Sequence, residues 1–260
     1  ARQLGIPARR RLHQPRLARN RIPKSQMKYL NNEFDLGAES DEDASTSVEA
    51  LEAQLGAVRE RLNEARTQID APQWRQLALQ EGRLLVMLEK SDEAWSSAKI
   101  CFDRFCSAKL WADTVEAARI MFQSGHSDSL IALGHGVWLA VTFPVDPELS
   151  VALLQDIIDE TPDDSDGAAV AAAVAAYIVD LRAEGKEHES LSFFTNQMLG
   201  AVARRHSSIE NQEAFDQWIS RLELNDPIRF LPRLRNVVDV LVQDNWWIDR
   251  EAIQAALPIQ

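Results

Sequence analysis

The chain reads as an all-α protein built from antiparallel helices, and three features of its sequence say so. Gly is sparse, at 10 residues in 260. Ala is abundant, and the β-branched alternation that builds strands is almost absent. Breaks in the apolar pattern recur roughly every twenty residues with short connections, the spacing of antiparallel neighbours. At 45% hydrophobic residues the chain can bury a sizeable core, in one elongated domain or two compact ones.

The first segment, residues 1–26, is rich in Arg and Pro. Residues 1–28 hold nine Lys and Arg and no acid, so residues 29–260 carry the other 19 basic side chains against all 40 acidic ones, net −21. A basic arm on an acidic body admits three readings. It can neutralise nucleic-acid phosphates. It can be a presequence, although Pro7, Pro15 and Pro23 would break the amphipathic helix that needs. Or it can be a disordered or non-native leader, since Met27-Lys28-Tyr29-Leu30 resembles an ordinary bacterial start. The acidic body repels phosphate and argues against nucleic acid as the main partner.

Residues 27–47 follow as an acidic linker, with Glu39 to Ser47 free of large apolar side chains. Thr46 with Glu49 forms a capping box that predicts a helix start. Over 48–70 the residues Val48, Leu51, Leu55, Val58, Leu62, Ala65 and Ile69 alternate three and four apart, an a/d heptad seam. Leu51, Leu55, Val58 and Leu62 are the helix-association residues. They either join two chains as a homodimer, capture a partner helix, or cover the first hairpin of their own chain. The last fits the cover that terminal repeats need.

Residues 71–257 form the main helical domain. Pro72 opens a helix through Trp74, Leu77, Leu85 and Leu88, and a second runs from near Ser91 to Phe105. Gly82 stands twelve residues before Ala94, which opens the small-residue run Ala94, Ala98 and Cys101 at i, i+4 and i+7. Those offsets resemble the tetratricopeptide (TPR) repeat over one hairpin, Gly82 to Cys101, while the neighbours diverge. The resemblance implies helices held close by small residues, hairpins stacked as an α-solenoid, and a protein that holds other proteins.

The third helix carries Trp111, Val115, Ala118 and Phe122 and stops at Ser124-Gly125; the fourth spans Ser127 to Val141. Asp146-Pro147-Glu148 is a strong start for the fifth: a capping acid, Pro in the first turn, then a second acid. Asp166 opens an Ala-rich sixth helix to Arg182, too short an apolar run to cross a bilayer. A seventh covers Glu187 to Arg205 and an eighth Glu210 to Leu222. Asp226-Pro227 opens the ninth, and Trp246 to Leu257 reads as a short last helix.

Catalytic motifs are missing: no G-x-S-x-G elbow, no Walker loop, no G-x-G-x-x-G after a strand, no H-E-x-x-H. Gly134-His135-Gly136 could bring an imidazole to a metal or a base role, but in an apolar helix it reads as close packing around a satisfied His. Cys101, Cys106, His126 and His135 have no zinc-site spacing. The acids Asp159, Glu160, Asp163, Asp164 and Asp166 lack the EF-hand pattern. No metal ligand, cofactor or catalytic residue is expected.

Aromatic residues are the better clue to interaction. Trp74, Trp95, Trp111 and Trp138 each anchor a different helix. Trp246 and Trp247 are adjacent, so helical geometry would turn them about 100° apart and leave one for a partner. Phe193 and Phe194 pose the same alternative. These expectations make the chain a cytoplasmic adaptor, accessory or assembly scaffold without catalytic activity. Its partner would be a protein with a basic patch or an amphipathic helix, with no membrane contact. The competing readings are a helical ligand-binding or enzymatic domain with a pocket near His135, and a nucleic-acid-associated regulator acting through the basic arm.

Overall fold

The computed structural model of the chain describes residues 28–30, 41–65 and 71–257. The basic arm, Ile69 and most of the expected linker lie outside them. Among the described residues there are eleven helices and no strand. They are α1 (Asp41–Glu64), α2 (Pro72–Met87), α3 (Ser91–Ser107), α4 (Trp111–Gln123), α5 (Ser129–Thr142) and α6 (Pro147–Glu160). There follow α7 (Asp166–Arg182), α8 (Gly185–Ser207), α9 (Gln212–Arg221), α10 (Pro227–Val242) and α11 (Arg250–Ala255).

Helix starts follow their capping chemistry. Asp146 accepts the Leu149 N–H at 3.2 Å, Asp226 that of Ile228 at 3.0 Å, and Ser165 that of Gly167 at 3.1 Å. Pro147 and Pro227 occupy the first turns as expected. The start of α1 differs from the capping-box reading: the helix begins at Asp41, so Thr46 and Glu49 lie inside it. The last helix also differs. It begins at Arg250, where Asp249 accepts the Ala252 N–H at 2.9 Å, and leaves Trp246 and Trp247 outside any helix.

Three connections share one geometry. After α2, Glu89 takes φ 55°, with its N–H on Val86 O and the Lys90 N–H on Leu85 O. Lys109 after α3 and Glu223 after α9 repeat the pattern at φ 57° and 52°. These are left-handed helix ends with paired backbone bonds, made here without glycine. The first two lie twenty residues apart and fold α2, α3 and α4 back on one another.

Sequential helices pack in pairs from α1·α2 to α7·α8, and short loops between packed helices make the neighbours antiparallel. Within the α2–α3 hairpin, Ala94, Ala98 and Cys101 are buried. Gly82 acts on a different neighbour from the one the hairpin spacing suggests. A Cβ there would lie 3.0 Å from Ile120, so its missing side chain admits α4 against α2. The heptad seam faces its own chain. Leu55 and Val58 are buried with Leu77, Leu84 and Leu85 of α2 and Ala94 of α3, flanked by Leu51 and Leu62. The α1 helix therefore covers the first hairpin.

Half-buried arginines brace the later helices. Arg182 of α7 donates to Ala140 O at 2.8 Å and Val141 O at 3.1 Å, at the end of α5. Arg205 of α8 donates to Ile158 O at 2.7 Å, at the end of α6. Arg182 satisfies carbonyls that the end of α5 leaves unpaired, and Arg205 adds a donor to an Ile158 carbonyl that also accepts from Thr161. The Ala-rich α7 is buried along most of its length, with Ala168 to Ala175 all covered. No helix among the described residues is long and apolar enough to cross a membrane. Then α10 returns to lie against both α5 and α7, closing one side of the helical row.

Candidate interaction site

Two non-helical segments dock on this helical body, one against α3 and α5 and the other against α4 and α6. The first is centred on Gly134-His135-Gly136, whose three residues face three neighbours. A Cβ on Gly134 would lie 2.5 Å from Val242 Cγ2 of α10. One on Gly136 would lie 3.2 Å from both Ala118 of α4 and Leu153 of α6. The glycines let three helices approach α5, and His135 between them is fully buried.

Both nitrogens of His135 are engaged. Nδ1 donates to Ile131 O at 2.8 Å, one turn back on α5, and Nε2 accepts the Trp247 backbone N–H at 2.9 Å. These two bonds fix the neutral Nδ1–H tautomer. Burial pushes the imidazole down to about 4, against the smaller upward pull of the Ile131 carbonyl. Its ring stacks on Trp247 at 4.5 Å and meets Trp246 at 4.9 Å. Trp247 also packs edge-on to Trp95 and Phe102, and Trp246 to Trp138. Lys99 covers the Trp247 ring at 5.3 Å, and Arg250 covers Trp246 at 3.8 Å. Both indoles are engaged with their own chain while remaining partly exposed. The two are half-buried on α3 and α5, because leaving helical geometry lets both turn inward together.

The second site holds residues 28–30. Tyr29 and Leu30 both donate their backbone N–H to Oε1 of Glu148, the Leu30 bond at 3.0 Å. Arg119 Nη1 donates to the Tyr29 carbonyl at 3.0 Å, while its Nε binds Asp156 at 2.9 Å. The Tyr29 hydroxyl donates to Glu116 at 3.1 Å, and Glu116 also pairs with Arg83 and, at 3.9 Å, with Lys28. Glu116, Arg119 and Glu148 are 8%, 7% and 8% exposed, so these bonds work with little competition from water.

Burial sets the electrostatics of this cleft. It raises the Tyr29 phenol to about 12, with the Asp146 charge adding to the shift. It also raises the Asp156 carboxyl although Arg119 beside it pulls the other way, the usual desolvation cost of a buried ion pair. The Arg83 guanidinium is lowered by burial. A cavity of about 660 Å³ adjoins the segment, lined by Arg119 and Gln123 of α4, Gln155 and Asp156 of α6, and Phe194 and Gln197 of α8.

The sequence-predicted residues fall unevenly on this map. Phe194 lines the cavity, while its neighbour Phe193 points outward at 52% exposure. Trp246 and Trp247 belong to the His135 site. Among the described residues no group of three or more His, Cys, Asp or Glu side chains could hold a metal ion. The loop acids have protein partners instead: Asp166 pairs with Arg233 and hydrogen-bonds His206 Nε2, and Asp163 pairs with Arg205. His126 stacks on Trp95 at 4.2 Å. The Cys101 thiol is raised by burial to about 12, which keeps it protonated and inert.

Sequence reasoning missed the second site. Glu148 was legible only as a first-turn acid, Tyr29 only as part of a start, and Glu116 and Arg119 drew no reading from the sequence. Compared with known protein families, characterised proteins and solved structures, the chain matches none.

Proposed function

We propose that this chain is a protein-interaction scaffold, an accessory, assembly or adaptor factor without catalytic activity. Its helices then act as TPR-like hairpins in an α-solenoid arrangement that presents a binding face. One observation carries this reading: a cleft whose buried Glu148 and Arg119 read the main-chain N–H and C=O groups of a docked peptide segment. Main-chain recognition by fixed charged groups is how a protein holds another chain without demanding one full sequence. The acidic body favours a partner with basic character.

The ligand-pocket alternative near His135 loses support from the two hydrogen bonds that engage its ring nitrogens. The free thiols of Cys101 and Cys106, five residues apart on α3, fit a reducing cytoplasm.

The test is to express the tagged full chain in cells, crosslink mildly and identify what is attached. A stoichiometric protein crosslinked to α4, α6 or α8, and lost from the Arg119→Ala variant, supports the scaffold. Recovery of the chain alone, or a partner indifferent to every change on that face, overturns it.

A further inference from the structure

The cleft between α4, α6 and α8 is already filled in part by the chain's own residues 28–30, and the manner of filling is informative. Glu148 and Arg119 bind only backbone atoms of that segment, two N–H groups and one C=O. Two side-chain contacts add selectivity, from the Tyr29 hydroxyl and the Lys28 ammonium to Glu116. Beyond Leu30 the cavity continues along Gln123, Gln155 and Gln197, whose amides can both donate to and accept from a peptide backbone.

We propose that this cleft is a peptide-binding site for a partner segment carrying a basic residue, a tyrosine and an aliphatic residue in succession. In this proposal Lys28-Tyr29-Leu30 is a resident competitor that the partner segment displaces. The proposal deepens the scaffold reading above and rests on it. Charge defines the partner further. The Tyr29 hydroxyl donates to Glu116, and Asp146 and Glu148 add negative charge there against Arg83 and Arg119, so a phosphorylated tyrosine would set its charge against the Glu116 carboxylate and is rejected. A resident segment tethered to the same chain acts at high effective concentration, so the displaced state is a minority until a partner is present.

The experiment uses the full chain and a fluorescently labelled peptide, Met-Lys-Tyr-Leu-Asn-Asn, which copies residues 27–32. Fluorescence anisotropy reads binding to the wild type and to the Tyr29→Ser/Leu30→Ser double variant. The emptied variant is expected to bind the peptide at least about ten-fold more tightly than the wild type. Adding Arg119→Ala abolishes that binding, and the phosphotyrosine form of the peptide fails to bind. Equal binding by wild type and a folded double variant overturns the proposal, as does binding that survives loss of Arg119 or accepts the phosphopeptide.

If the double variant does not fold, hydrogen exchange on the wild type decides. Excess peptide is expected to strip protection from the Tyr29 and Leu30 amides, and unchanged protection overturns the idea. A cellular partner crosslinked elsewhere on the chain, with no peptide binding here, removes this proposal and leaves the scaffold standing.

Discussion

The two docked segments are attached to the same helical body by opposite chemistry. At the C-terminal site, four indoles, a phenyl ring and a neutral imidazole pack face and edge, with one hydrogen bond to the backbone of Trp247. The N-terminal site instead uses three buried charged side chains to hold residues 28–30. Aromatic burial gains free energy roughly in proportion to area and has little to gain from exchange with water. Charged groups already desolvated by the fold lose much of their Coulomb gain to that desolvation. The first site therefore belongs to the stability of the fold. The second holds its segment through polar bonds, which is what the proposed recognition uses.

The largest effect that would separate the two sites is steric. Gly134→Val sets a branched side chain where even a Cβ would lie 2.5 Å from buried Val242. Overpacking of this kind costs about 3 kcal/mol or more, well above the ~1 kcal/mol that replacing a helical glycine returns. Urea unfolding should show that loss, and a change below ~1 kcal/mol would mean that α10 is not held where it stands.

His135→Leu comes next. It keeps the volume apolar but leaves the Trp247 N–H unpaired, a loss of about 2 kcal/mol at neutral pH. The loss depends on pH in a defined direction. His135 titrates near 4 in the fold against 6.5 when free, so the unfolded chain binds more protons between those values. The stability that neutral His135 contributes is complete above pH 6.5 and is lost as pH falls towards 4. The gap between wild type and His135→Leu should narrow across that window in urea titrations. A constant gap would show that the imidazole is not buried neutral.

Glu148→Ala probes the other side of the comparison. Global stability should fall by only about 1 kcal/mol, from a lost first-turn acid and weakened docking. Exchange of the Tyr29 and Leu30 amides should meanwhile rise to that of unstructured chain. If the whole protein instead loses several kcal/mol, residues 28–30 are part of the core and the contrast between the sites fails.

The fold was legible where chemistry is local. Asp146-Pro147 and Asp226-Pro227 announce helix starts because capping needs only adjacent residues, and the Ala-rich run of α7 announces its own burial. The turns at Glu89, Lys109 and Glu223 were not marked, because packing imposes a left-handed conformation on residues that do not favour it. Trp246 and Trp247 read as helical for the same reason: what lifts them off a helix is His135, 112 positions away in the chain at the bonded pair. The candidate site was the least legible part. Its parts come from residues 28–30, α4 and α6, and no local pattern connects a first-turn acid to a peptide it will hold.

The smallest effect belongs to the Tyr29 hydroxyl, and it tests whether the N-terminal site discriminates at all. Tyr29→Phe removes the bond to Glu116 and the exposed one accepted from Lys28 Nζ, which together should cost about 1 kcal/mol or less at neutral pH. Alkaline pH reverses the comparison. The phenol titrates near 12 in the fold against 10 when free, so the unfolded chain loses its proton first. The contribution of neutral Tyr29 is whole below pH 10 and fades as pH climbs to 12, where a phenolate would face Glu116 and Glu148. The phenyl ring of the Tyr29→Phe variant has no proton to lose. That variant should therefore overtake the wild type at high pH, in chemical denaturation and in amide exchange at Leu30. Were the two to fall together, the hydroxyl would be solvated rather than read by Glu116, and the cleft would hold its segment by backbone alone.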